Sequence, residues 1–158
     1  MELIQQFNEV LIALHKYKVK YILIGGYAVI LYGFPRFTQD IDIVVKMDER
    51  NIENLRIALD SIFHDESIKD ITFQEMKEYA VIRYGTQDGF FLDIMAGIGT
   101  IADYSSIEYI EQTFNEIPIR IATPEALIRL KENTIRPHDK RDAIYLRELL
   151  ERGKNNAG

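Results

Sequence analysis

Gln39-Asp40-Ile41-Asp42-Ile43-Val44-Val45 sets two aspartates one residue apart in a run otherwise suited to the interior of a sheet. The β-branched residues at 41, 43, 44 and 45 read as a buried strand. Side chains at i and i+2 of a strand leave the same face, about 6.5–7 Å apart along the backbone. A carboxylate costs several kcal/mol to desolvate unless it is paired or bound to a cation. Two ionised carboxylates on one buried face therefore call for positive charge between them. A hard divalent cation answers that need, and Mg²⁺ commonly takes one or two carboxylates together with substrate phosphates. The competing reading of Asp40 and Asp42 is a strand end where acids face solvent.

Upstream, the apolar run Tyr21-Ile22-Leu23-Ile24 reads as a short strand broken by Gly25-Gly26, with a short helix expected over Tyr27 to Tyr32. Two glycines between a strand and a helix let backbone N–H groups approach a ligand closely, and the helix start favours an anion. A plain tight turn explains the same pair. Downstream, Asp93 stands as a lone acid in Phe90-Phe91-Leu92-Asp93-Ile94-Met95. If its strand lies beside that of Asp40 and Asp42, three carboxylates converge, enough for two Mg²⁺ ions and an in-line phosphoryl displacement. The alternative is a simple ion pair between Asp93 and a base such as Arg83. Arg36 and Thr38 lie on the loop leading into the acidic strand, where Arg36 can bind a phosphate, hold a carboxylate or stay solvated.

The remaining elements follow from periodicity and caps. Leu3, Ile4, Phe7, Val10, Leu11 and Leu14 mark an amphipathic helix over 3–18. Asp48 caps a helix over 51–63, and residues 64–78 mix turn and short helix. Strands are expected over 80–84 and 90–95, joined by a Gly85–Gly89 turn, and over 108–114 and 117–121. Thr123-Pro124 opens a helix to about 134, and a last helix spans about 140–152 before a frayed tail over 153–158. The expected architecture is α/β (α+β), a small mixed sheet flanked by helices with a C-terminal helical pair. The expected organisation is one domain over 1–158, with its core over about 1–121 and the helical part over about 122–152.

The chain has 158 residues, no cysteine and a net charge of −6. A thiolate metal site, a disulfide framework and a cysteine nucleophile are excluded. The charge argues against a general nucleic-acid coating protein. Acids dominate residues 1–119 and bases residues 120–158. That asymmetry suits an acidic metal site facing a phosphate-binding wall, and equally suits two solvated basic helices. No apolar run approaches a membrane span and Met1-Glu2-Leu3 lacks a signal peptide's basic region, so a cytoplasmic protein with no membrane partner is expected.

Gly25-Gly26-Tyr27-Ala28-Val29, Gly33, Arg36, Thr38 and Asp40-Ile41-Asp42-Ile43, with the later Asp93, resemble the polymerase-beta-like nucleotidyltransferase superfamily. So does Pro124-Glu125-x-Leu127-Ile128-x-Leu130-Lys131, followed by Arg136, Lys140 and Asp142. The similarity is to stand-alone bacterial and archaeal nucleotidyltransferases related to abortive-infection toxins and antibiotic nucleotidyltransferases. It implies transfer of a nucleoside monophosphate from NTP to a hydroxyl, with release of pyrophosphate. Asp40, Asp42 and Asp93 would be the catalytic, metal-binding triad with two Mg²⁺. Gly25, Gly26, Arg36, Thr38, Lys131 and Lys140 would contact the nucleotide. The acceptor, whether tRNA, protein or small molecule, stays open, as does the base. An antitoxin or a second copy of the chain are the partners it implies. The alternative function is a non-catalytic nucleotide-binding or partner-binding member of a toxin–antitoxin pair.

Overall fold

In the computed structural model, which describes residues 3–100, 102–132 and 137–157, the acidic strand lies inside a six-stranded sheet. Helix α1 (Leu3–Lys16) leads into β1 (Tyr21–Ile24), α2 (Gly25–Leu31), β2 (Asp40–Val45) and α3 (Glu49–Phe63). A 3₁₀ turn (Glu66–Asp70) and α4 (Phe73–Glu78) precede β3 (Val81–Gly85) and β4 (Phe91–Met95). A two-residue ribbon, β5 (Gly97–Ile98) with β6 (Ala102–Asp103), is followed by β7 (Tyr109–Phe114), β8 (Ile117–Ala122), α5 (Pro124–Glu132) and α6 (Pro137–Ala157).

The sheet order is β3-β4-β2-β1-β8-β7. β2 runs parallel to β4, and β1 runs parallel to β8, while the other pairs are antiparallel. The mixed α/β architecture expected from the sequence is therefore present. β1 is buried along its whole length, as is β2 from Ile43 to Val45. Edge strand β7 is exposed at every position but Phe114. α1 presses Phe7, Val10, Leu11 and Leu14 into the core. Each such side chain contributes about 1.5–3 kcal/mol on burial. Among the described residues no helix is long and apolar enough to cross a membrane.

Local signals act where they were read. The Asp48 side chain accepts the Asn51 N–H at 2.7 Å and starts α3, and Thr123 Oγ1 accepts from Ala126 N at 3.1 Å to start α5. β7 and β8 turn through Asn115 and Glu116, both with positive φ, as a two-residue hairpin requires. Two expectations need correction. α2 begins at Gly25, so the glycines form its first turn rather than a break before it. α6 runs from Pro137 through Gly153 to Ala157 instead of fraying after 152. A single helical glycine costs only about 1 kcal/mol, too little to stop a helix.

One polar side chain unremarked in the sequence ties the scaffold together. Buried Asn51 accepts from Lys20 N at 2.7 Å and donates to Lys20 O and Lys46 O, each at 2.9 Å. It satisfies backbone groups where β1 begins and β2 ends, locking α3 against both.

Candidate active site

Parallel pairing of β2 with β4 sets Asp42 directly opposite Asp93, and Asp40 opposite Phe91. Asp40 and Asp42 share a face of β2, so all three acids line one cavity of about 300 Å³. Gly25, Arg83 and Lys131 line it too, and Ile24, Val81, Met95, Ile98, Leu127 and Leu130 give it an apolar wall. The convergence expected of Asp40, Asp42 and Asp93 is present.

The electrostatics are tense. The Asp42 carboxyl is pushed from its ordinary 3.8 up to about 7, first by burial, then by the charge of Asp93 and a hydrogen bond with it, then by Asp40. Lys131 opposes the shift. Near neutral pH the Asp42–Asp93 pair is therefore only partly ionised, because three charged carboxylates this close repel one another.

Gly25 has a reason that the sequence could not display. Its φ is +75°, and a Cβ built there would lie 2.0 Å from Asp42 Oδ2. The carboxylate occupies the space a side chain would take, so only glycine fits. Gly26 faces the other way: a Cβ there would stand 3.1–3.3 Å from the Arg36 guanidinium.

Arg36 does not line the acid cavity. It pairs with Asp142 of α6, and Lys131 Nζ bonds the same Asp142 Oδ2 at 2.9 Å. Asp142 is fully buried, and its Oδ1 has no hydrogen-bond partner among the described residues. Of the roles open to Arg36, the geometry gives it the holding of a carboxylate. Lys131 bridges the two clusters, reaching Asp142 while lining the acid cavity. Thr38 is spent locally: its hydroxyl accepts Asp40 N–H at 3.3 Å and fixes the start of β2. Lys140 is exposed on α6 and does not line the acid cavity. Arg136 lies outside the described residues.

Sequence reasoning named Arg83 only as a partner for Asp93 in the alternative to a metal site. It stands across from Asp93 in the β3–β4 hairpin and grips it with two hydrogen bonds. The ion pair offered as the alternative for Asp93 therefore exists together with the triad. The turn from Gly85 to Gly89 was the available signal, since strands closing on it put 83 opposite 93.

Do these residues suit magnesium? Among the described residues no group of three His, Asp or Glu side chains stands ready-made to hold a metal ion. The donors are nonetheless all carboxylate oxygens, the kind that hard cations take. Burial and the neighbouring acids raise the proton affinity of Asp42, and the guanidinium that offsets Asp93 sits on a half-exposed arm. The donor set fits a divalent cation once the proton and the guanidinium give way.

Known structures share the architecture. The lincosamide antibiotic adenylyltransferase LnuA, solved with lincomycin bound, superposes with a TM-score of 0.52 at 17% identity, covering 86% of this chain and 90% of that one. The antibiotic-resistance factor ANT(2'')-Ia in solution gives 0.53 at 17% identity, over 99% and 96% of the two chains. An antigenic nucleotidyltransferase-like protein from Paracoccidioides brasiliensis gives 0.53 at 17% identity, over 88% and 74%. At such identities the likeness establishes the fold. No curated relative matches the sequence. The family described as nucleotidyl transferase AbiEii toxin, type IV toxin–antitoxin system, matches residues 9–144, which hold every acid of the cavity. The chain belongs to the AbiEii nucleotidyltransferase family.

Proposed function

We propose that this protein transfers a nucleoside monophosphate from an NTP to a hydroxyl acceptor, releasing pyrophosphate. One observation carries the reading: Asp42 and Asp93 stand opposite each other on parallel strands, with Asp40 on the same cavity wall and Gly25 and Lys131 beside them. Asp40, Asp42 and Asp93 would hold two Mg²⁺. Magnesium there would supply a Lewis acid for the phosphoryl centre and lower the pKa of the acceptor hydroxyl. The chain's own groups do the rest. Asp42 gives up its proton on loading. Asp93 would help draw off the acceptor hydroxyl's proton. Lys131 offsets the negative charge that builds on the departing pyrophosphate. Met95, Ile98, Leu127 and Leu130 on the cavity wall would shield the reacting groups from water on that side.

NTP as substrate carries a cytoplasmic location with it, and the family carries an antitoxin as partner. The test is incorporation of label from each of the four NTPs, with Mg²⁺, into tRNA, protein or small-molecule acceptors. Wild type should label an acceptor and Asp42→Asn should not; equal labelling by both removes this mechanism. A second reading, a nucleotide-binding toxin–antitoxin component without turnover, is favoured by the Arg83 fork on Asp93. Calorimetric NTP binding without pyrophosphate release would select it.

A further inference from the structure

The β3–β4 hairpin suspends a cation over the acid cluster. Arg83 Nε donates to Asp93 Oδ1 at 2.8 Å and Nη2 to Oδ2 at 2.9 Å, so the guanidinium fork takes both carboxylate oxygens. Nη2 also reaches Asp40 Oδ2 at 3.5 Å. The guanidinium rests on the Phe91 ring, 4.7 Å from its centroid. Asp93 is buried, whereas the Arg83 side chain is 53% exposed and hangs from the sheet's edge strand. It can therefore move without disturbing the core. Lys131, also on the cavity wall, is bound to Asp142.

We propose that Arg83 is the resident counter-ion of the acid cluster and sets its affinity for divalent cations, because a cation reaches Asp93 only as the guanidinium fork leaves it. This rests on the metal-dependent reading above. A bidentate charge-assisted pair is among the stronger polar contacts, and Arg suits it where Lys, a point charge, does not. The cluster's binding strength is therefore set by a residue that is not one of its ligands. Once displaced, the guanidinium stays within reach of the same cavity.

The experiment titrates the full chain with Mn²⁺ alone and reads free Mn²⁺ by electron paramagnetic resonance. Wild type is compared with Arg83→Gln, Arg83→Lys and Asp42→Asn. Arg83→Gln should bind Mn²⁺ about tenfold more tightly, as expected for loss of one competing charge-assisted contact. Arg83→Lys should fall between, and serves alone if the glutamine variant does not fold. Without metal, Arg83→Gln should melt lower than wild type, and Mn²⁺ should raise its melting temperature by more. If wild type binds Mn²⁺ and neither Arg83 variant binds it more tightly, the counter-ion role is overturned while the metal site stands. If wild type does not bind Mn²⁺, or Asp42→Asn binds it equally well, the metal site itself fails and the proposal with it.

Discussion

Replacing Asp42 with Asn should stabilise the metal-free protein while abolishing nucleotidyl transfer. Burial, Asp93 and Asp40 raise the Asp42 carboxyl from 3.8 to about 7. The folded state therefore holds a proton that the unfolded chain releases at lower pH. The stability this group contributes is full below about 3.8 and is lost as pH rises through about 7. Asn is nearly isosteric with the protonated acid, can donate an N–H to Asp93, and never ionises. At about 1.4 kcal/mol per tenfold in proton affinity, the displacement bounds the gain at roughly 4 kcal/mol. Since the proton is shared with Asp93, a gain of about 2 kcal/mol is expected above neutrality. For a chain of this length that is about 4–8 °C in Tm. Calorimetric melts in EDTA should show the variant ahead of wild type at about pH 8, with the gap closing towards about pH 4. A variant no more stable than wild type at high pH, or a gap independent of pH, would refute the claim that Asp42 ionises at a cost.

Four further outcomes follow from named contacts. Because a bound cation must expel the Asp42 proton, Mn²⁺ affinity should climb as pH rises through about 7 and then level off; an affinity flat across that range counts against it. Gly25→Ala forces a Cβ to within 2.0 Å of Asp42 Oδ2 at a φ of +75°. It should cost at least about 1–2 kcal/mol in urea unfolding from the backbone alone, and should also weaken Mn²⁺ binding. Asp142→Ala removes the carboxylate that Arg36 and Lys131 share, and should cost about 3 kcal/mol by chemical denaturation. Asn51→Ala takes the Lys20 N–H's acceptor away and removes one of two donors from each of Lys20 O and Lys46 O, and should cost about 1–2 kcal/mol in the same assay while leaving the melt cooperative.

How far the sequence carries can be judged from particular elements. β2 was readable because β-branched residues repeat through it, and its aspartates fall on one face by period alone. The starts of α3 and α5 were readable because Asp48 and Thr123 cap through residues three positions away. The extent of α6 was not, since helix ends depend on small propensity differences. Asp93 was a candidate on composition, but its place beside Asp42 depends on β4 crossing to pair in parallel with β2. Arg36 stood next to the acids in the chain, where a phosphate, a carboxylate and solvent were all open to it, and the family resemblance implied a nucleotide contact. The carboxylate it holds is that of Asp142, 106 residues away, which only the tertiary fold brings near.

By itself, then, the sequence determined the chemistry on offer: carboxylates on a buried strand, a glycine pair before them, basic residues near the end and an α/β framework. Those are consequences of side-chain type and local period. The tertiary structure alone decided the pairing of charges: Arg83 on Asp93, Arg36 and Lys131 on Asp142, and the raised proton affinity of Asp42. Coulomb and hydrogen-bond energies depend on separation and burial, and both are set by which strands and helices cross rather than by distance along the chain.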